Sequence, residues 1–169
     1  MHAFAEWLQT TPVSVTIQSV TWVIPLLQSI HILMIGVVFI SILMIALRVL
    51  GRVRADETFS AVWRRFAPWM WCGLVVMAVT GLTLIVGEPI REFTALSFWL
   101  KMGLIVAAVT CTIVFARTVK PADGAADPEF SLATKSAVVA ALVVWTAIIF
   151  LGRAIAYDAA VWGSLSPSA

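Results

Sequence analysis

The sequence is poor in charge. Charged residues make up 12% of its 169 residues, whereas hydrophobic residues make up 62%, and the mean hydropathy is +1.02. A soluble domain is about one-quarter charged, because its surface must be solvated. The deficit excludes soluble enzymes, nucleic-acid-binding proteins and disordered regulators, and it predicts that most of the protein's outside faces lipid. The net charge of +2 is too small to indicate an anionic partner.

Histidine and cysteine are also scarce, with two residues of each. Cys72 and Cys111 lie in apolar runs without metal-ligand spacing. We therefore expect them to be packing residues rather than a disulfide. His2 lies at the N-terminus, so a haem held by two histidines of one chain is not expected.

Long charge-free runs predict four membrane-spanning helices. A bilayer core of about 30 Å requires about 20 apolar residues per helix. No Asp, Glu, Lys or Arg lies between Glu6 and Arg48, a stretch too long for one span, and Pro12 divides it. Pro25 either kinks the first helix or lies in its first turn. The prediction is an all-α, integral membrane four-helix bundle that forms one domain over residues 1–169. Its spans are predicted at residues 17–50, 66–88, 97–117 and 136–157.

The distribution of basic residues predicts the orientation of the bundle. Eight of the eleven flank the first and third connections: Arg48, Arg52, Arg54, Arg64, Arg65, Arg117, Lys120 and Lys135. The positive-inside rule then places both termini outside, which is the periplasmic side if the membrane is a bacterial inner membrane. Residues 120–124 and 127–128 are predicted to form a turn-rich cytoplasmic loop.

The N-terminal residues do not resemble a signal peptide, because no basic segment precedes an apolar one. Phe4, Trp7 and Leu8 recur at helical spacing. This spacing predicts a short amphipathic helix on the outer surface of the membrane.

His31 is the polar residue whose depth most needs an explanation. It follows Trp22, taken as the outer interface, by nine residues, which places it roughly 14 Å deep at 1.5 Å per residue. A histidine at that depth is costly unless it is hydrogen-bonded to another helix or binds a ligand, and the sequence leaves both alternatives open. Gln28 and Met34, three residues away on either side, share its face of the helix and are candidate cofactor neighbours.

Lys101 lies a few residues inside the third predicted span. Its side chain can reach the outer headgroups by snorkelling, or it can turn inward to meet an anion. The first and third spans enter the membrane from the same side. His31 and Lys101 then differ in depth by about 9 Å, a gap that a large cofactor can bridge if the two helices face each other.

Several polar residues surround the predicted outer end of the bundle. The simpler interpretation is a solvated rim with salt bridges, and the alternative is an entrance that steers a charged ligand. The sequence favours the solvated rim, which consists of Glu88, Arg91, Glu92, Arg153, Tyr157 and Asp158.

Three segments resemble the haem-containing bacterial protoporphyrinogen oxidase family and the related copper-resistance membrane proteins. They are residues 28–32 (QSIHI) with Arg48, residues 81–84 (GLTL), and residues 98–104 (FWLKMGL). The chain is also similar to uncharacterised bacterial four-helix inner-membrane proteins. In the oxidase family, a first-helix histidine and a third-helix lysine are associated with haem b. The resemblance implies these roles for His31, as the iron ligand, and Lys101.

The chain departs from the oxidase pattern in two places. It carries residues 110–114 (TCTIV) where the oxidases have further histidines, and its first helix ends in residues 46–51 (ALRVLG) without a proline. The resemblance therefore implies haem b binding more directly than it implies protoporphyrinogen oxidation.

The function expected from these residues is that of a membrane haem b redox protein. It would transfer electrons or oxidise a lipophilic quinol or porphyrinogen, with a quinone or porphyrin-like molecule as partner. Two alternatives remain open: an accessory subunit of a membrane complex, and a metal-ion or small-solute permease. A homo-oligomer is compatible with each function.

The charge distribution makes a testable prediction about topology. A reporter that is active only in the cytoplasm should give no signal when fused to the C-terminus, because both termini are expected outside. The same reporter inserted between Arg52 and Arg54 should be active. A strong signal from the C-terminal fusion would contradict this orientation.

Overall fold

The structure, a computed structural model, describes residues 2–118 and 129–166. No strand occurs in these two ranges. Four helices in them are long and apolar enough to cross a membrane, which confirms the all-α four-helix membrane bundle. The α-helices are α1 (His2–Gln9), α2 (Pro12–Ser19), α3 (Val23–Val49), α4 (Phe59–Gly87), α5 (Pro89–Phe93), α6 (Leu96–Thr118), α7 (Leu132–Ala154) and α8 (Asp158–Trp162). The loop predicted at residues 120–124 and 127–128 lies outside the described residues.

The four long helices are α3, α4, α6 and α7, and the short ones gather at one end of the bundle. Helix α1 packs on α5, α2 packs on α4, and α8 packs on α6. We call this end, where the chain begins and the described part finishes, the terminal end. The opposite end carries the α3–α4 connection with its arginines, and we call it the basic end.

The starts of two helices differ by six or seven residues from those of the predicted spans. Helix α3 starts at Val23 rather than residue 17, because the backbone is extended at Val20 and Pro25, which has no N–H to donate, lies in the first turn of α3. Helix α4 starts at Phe59 rather than residue 66, because Thr58 caps it through a hydrogen bond from the Ala61 N–H to its side chain. The first turns of α4 therefore include charged residues that the charge-free criterion had excluded.

The predicted short N-terminal helix is confirmed as α1. Its Phe4 ring packs edge-on against Phe93 of α5, with the ring centroids 5.6 Å apart. Ala5 is fully buried beneath the helix, whereas Trp7 remains exposed. Helix α1 is therefore attached to the bundle by one face and exposes another.

The long helices do not all pack on one another. Helix α3 packs along α4 and also contacts α7, and α6 packs mainly on α7. Helices α3 and α6 make no extensive direct contact. Their side chains meet instead in the middle of the bundle, where Val38 of α3 and Ala108 of α6 belong to one apolar cluster with Trp145 of α7.

The close approach of α3 and α4 depends on small residues. A Cβ atom on Gly73 would lie 2.7 Å from Cγ2 of Val38, and one on Gly81 would lie 3.3 Å from Cε1 of His31. Within a membrane, small residues allow helices to gain van der Waals contact that larger side chains would prevent. Gly73 is therefore required for the packing of α3 on α4.

The two cysteines, Cys72 and Cys111, are free, and both are exposed. Their prediction as packing residues is therefore wrong.

Gly73→Ala should destabilise the bundle by about 1–3 kcal/mol, because the added methyl group overlaps Val38. Gly36→Ala is the matched control: it also adds a methyl group to a spanning helix, but a Cβ there meets no atom within 4 Å. Thermal unfolding in detergent, followed by circular dichroism, compares the two variants. Equal midpoints would contradict the role assigned to Gly73.

Candidate functional site

His31 is held to α4 by a hydrogen bond within the terminal half of the bundle. Its Nδ1 lies 2.8 Å from Oγ1 of Thr80, a buried residue that is 5% exposed. The Thr80 hydroxyl also lies 2.8 Å from the Val76 carbonyl oxygen, one turn earlier in the same helix. The pair connects α3 to α4 through polar atoms on otherwise apolar helices.

These two hydrogen bonds favour one neutral tautomer of His31. A threonine hydroxyl has one proton, and Thr80 donates it to the Val76 carbonyl. Thr80 must therefore accept the second bond, so Nδ1 of His31 donates to it. In the neutral ring Nε2 then carries a lone pair. Within the described residues, Nε2 makes no hydrogen bond.

Helix packing fixes the position of the imidazole ring. A Cβ atom on Gly81 would lie 3.3 Å from Cε1 of His31, so the glycine leaves room for the ring beside α4. Gln28 and Met34, the predicted neighbours, are both half-buried on α3. The Met34 backbone faces α4, since its carbonyl oxygen lies 3.8 Å from a Cβ atom on Gly73.

The face of α3 that carries His31 changes its packing along the helix. Every buried residue of α3 lies in the half nearer the basic end, from Val38 onwards. At helical spacing the same face continues through Met34 and His31, which are only half-buried. The bundle is thus more loosely packed at the level of His31 than at the level of Ile42.

The Lys101 side chain packs against α7 and against the preceding turn of α6. Its Cδ lies 3.7 Å from the position of a Cβ atom on Gly152 of α7, and its Nζ lies 5.9 Å from the centroid of the Phe98 ring. The side chain is half-buried and lies close enough to His31 and Glu92 to interact electrostatically with both. No described carboxylate forms a salt bridge with it.

Glu92, which the sequence assigned to a solvated rim, is half-buried in α5. Burial raises the pKa of the Glu92 carboxyl above its usual range, although Lys101 and Arg91 act in the opposite direction. Glu92 is thus, after His31, the second ionisable group in electrostatic reach of the Lys101 ammonium. No local sequence pattern distinguishes it from the exposed rim residues.

Asp158 is the other rim residue that the sequence misassigned, because it is only 4% exposed. Its carboxylate accepts hydrogen bonds from the backbone N–H groups of Leu96, at 2.9 Å, and Ser97, at 2.8 Å. These groups belong to the first turn of α6, whose N–H groups have no partner within the helix. Trp162 donates to the Ser97 hydroxyl at 2.8 Å. The C-terminal segment therefore caps α6 one turn before Lys101.

The remaining rim residues match the solvated interpretation. Arg91 forms a salt bridge with Glu88 at 2.6 Å. Arg153 donates to the Tyr157 hydroxyl at 3.2 Å, and both side chains are exposed.

The donor set limits what could be bound at this level of the bundle. The described residues contain no group of three or more His, Cys, Asp or Glu side chains that could hold a metal ion. A small cavity of about 100 Å³ lies nearer the basic end, with Trp63, Cys111 and Val138 among its lining residues, and neither His31 nor Lys101 lines it. His31 alone offers a nitrogen lone pair in the membrane, which suits a cofactor that supplies the other ligands of its metal.

Comparison of the chain with models of protein families, with characterised proteins and with solved structures finds no match. The resemblance to the haem-containing oxidase family therefore stays a prediction.

Thr80→Val should remove the acceptor that holds Nδ1–H of His31, so both neutral tautomers should become populated. The bond is expected to contribute about 0.6 kcal/mol, the average for polar contacts between membrane helices. Nitrogen NMR of the imidazole, in a His2→Asn background, measures the tautomer. Thr83→Val is the control, because Thr83 bonds only the carbonyl of Val79 in its own helix. An unchanged tautomer in Thr80→Val would contradict the assignment.

Proposed function

We propose that this protein binds haem b in the terminal half of its membrane bundle, with His31 as an axial ligand. The observation that carries the proposal is the 2.8 Å hydrogen bond between Nδ1 of His31 and Oγ1 of Thr80. Metal-bound histidines almost always donate their other ring N–H to an oxygen acceptor, which orients the ring and makes the ligating nitrogen more basic. Thr80 supplies this acceptor at 2.8 Å, and Nε2 is left to ligate iron.

The residues around His31 suit a large planar cofactor in their chemistry. Because Gly81 has no side chain, it leaves the edge of the imidazole ring uncovered. The half-buried interior face at Met34 and Gln28 has the moderate polarity expected beside a porphyrin. Lys101 supplies a cation without a salt-bridge partner among the described residues, which suits a carboxylate such as a haem propionate.

When bound, haem would supply one-electron redox chemistry, and the protein would tune it through ligand identity and burial. His31 would hold the iron, Thr80 would keep the ring in one tautomer, and Lys101 would orient the carboxylate edge. The proposed substrate is a lipophilic quinol or porphyrinogen, because the helices around the site expose hydrocarbon side chains to the membrane.

The proposed location is the bacterial inner membrane, with the terminal end outside. Arg48, Arg52, Arg54, Arg64 and Arg65 all lie at or near the α3–α4 connection, and the positive-inside rule places such a connection in the cytoplasm. The site at His31 would then lie in the outer half of the membrane.

An accessory subunit of a membrane complex is the second candidate. The hydrogen bond between His31 and Thr80 favours it, because such a bond alone can serve to join two helices. A permease is less well supported, because His31 lies between two apolar clusters. One cluster contains Val38 and the other contains Phe98.

His31→Leu should insert and remain helical, but it should lose the visible haem absorption of the wild type, because leucine has no lone pair for iron. Spectra of the oxidised and the dithionite-reduced protein, purified from haem-replete cells, measure this. His2→Leu is the control, because His2 lies on the exposed face of α1.

Variants of Lys101 test whether its positive charge helps to hold the carboxylate of the haem. Lys101→Met should lower the haem content while leaving the fold inserted, and Lys101→Arg should retain haem through its positive charge. A colourless wild type would contradict haem binding and favour the accessory subunit. A full spectrum in His31→Leu would remove His31 from the site.

A further inference from the structure

A groove lies on the lipid-facing side of the seam between α6 and α7, at the terminal end. Its volume is about 810 Å³. Small residues line it on both helices, with Gly103 on α6 and Ala147 and Ala154 on α7, and aromatic side chains lie beside them, with Trp99 and Phe150 among these. A Cβ atom on Gly103 would meet no atom within 4 Å, so the groove is open at this residue.

The groove offers no indole N–H to a ligand. Trp99 donates its Nε1–H to the carbonyl of Phe93 at 3.1 Å, and Trp162 donates to the Ser97 hydroxyl at 2.8 Å. These bonds hold both rings at the end of the groove and leave their apolar faces to line it. The groove therefore suits a hydrocarbon chain and not a polar headgroup.

A cation lies beside the groove, at a position on α7 between the lining residues Leu151 and Ala154. Arg153 follows Phe150 by three residues on α7, so the two side chains are neighbours on the helix surface. The Arg153 guanidinium lies 5.2 Å from the centre of the Tyr157 ring and donates to its hydroxyl. No described carboxylate forms a salt bridge with Arg153, whereas Arg91 at the same end is bonded to Glu88.

We propose that this groove is a binding site for an anionic phospholipid, with an acyl chain in the groove and the headgroup phosphate on Arg153. The apolar lining and the adjoining cation complement the two parts of one lipid molecule. Arginine binds phosphate through its forked N–H groups, and Tyr157 already orients the guanidinium. A free phosphate would use Arg153 but not the groove, so the phospholipid accounts for both features.

Native mass spectrometry of the whole protein tests this, after release from vesicles of phosphatidylcholine with a minor fraction of phosphatidylglycerol. The wild type should retain phosphatidylglycerol about tenfold more strongly than phosphatidylcholine, which is the effect expected from one charge-assisted hydrogen bond. Arg153→Gln should reduce this preference towards none. Arg91→Gln, which removes an exposed arginine at the same end, should leave it unchanged.

Gly103→Leu tests the groove itself, because its side chain would occupy the open space without a clash. It should release the bound lipid, whereas Gly36→Leu, at another open helical glycine, should not. Equal retention of the two lipids by the wild type, an unchanged preference in Arg153→Gln, or lipid retention in Gly103→Leu would each overturn the proposal. A wild-type dimer that Gly103→Leu converts to monomer would identify a second copy as the occupant and overturn it as well.

Discussion

The close packing of α3 on α4 is the constraint on which the candidate site depends. Membrane helices gain little from the hydrophobic effect when they associate, so their contact relies on small residues and a few polar bonds. Gly73 allows the contact, because a Cβ atom there would lie 2.7 Å from Cγ2 of Val38. Two turns along α4, Thr80 then reaches Nδ1 of His31 at 2.8 Å. The tautomer of His31 is thus a consequence of how closely two helices approach.

The two halves of the bundle are stabilised in different ways. Near the basic end, apolar side chains of α3, α4 and α7 bury one another, and Ile45, Phe59 and Val138 belong to one cluster. Near the terminal end, α6 is attached by its capping residue: Asp158 binds the Leu96 and Ser97 N–H groups. His31 and Lys101 are both half-buried in this half of the bundle.

Charge-free runs were sufficient to predict four spans, because the absence of charge is a local property of the chain. Helix starts were less predictable: the capping by Thr58 extended α4 across residues that the charge criterion rejected. His31 and Lys101 stood out as rare polar residues at depth. The residues that surround them could not be recognised in the sequence, since Thr80 is 49 residues from His31 and Asp158 is 62 residues from Leu96. A single sequence carries no local signal for such pairs.

The distribution of charge separates the two proposed ligand sites. At the basic end, Glu57 pairs with Arg54 and Arg65, so part of the positive charge is neutralised within the protein. At the terminal end, Lys101 and Arg153 form no salt bridge with the described carboxylates. Lys101 packs against Gly152 of α7 within the bundle. Arg153, which follows Gly152 in the sequence, is exposed beside the lipid-facing groove. The α6–α7 seam thus presents one cation to the interior and one to the lipid, so an anion bound to either leaves the other available.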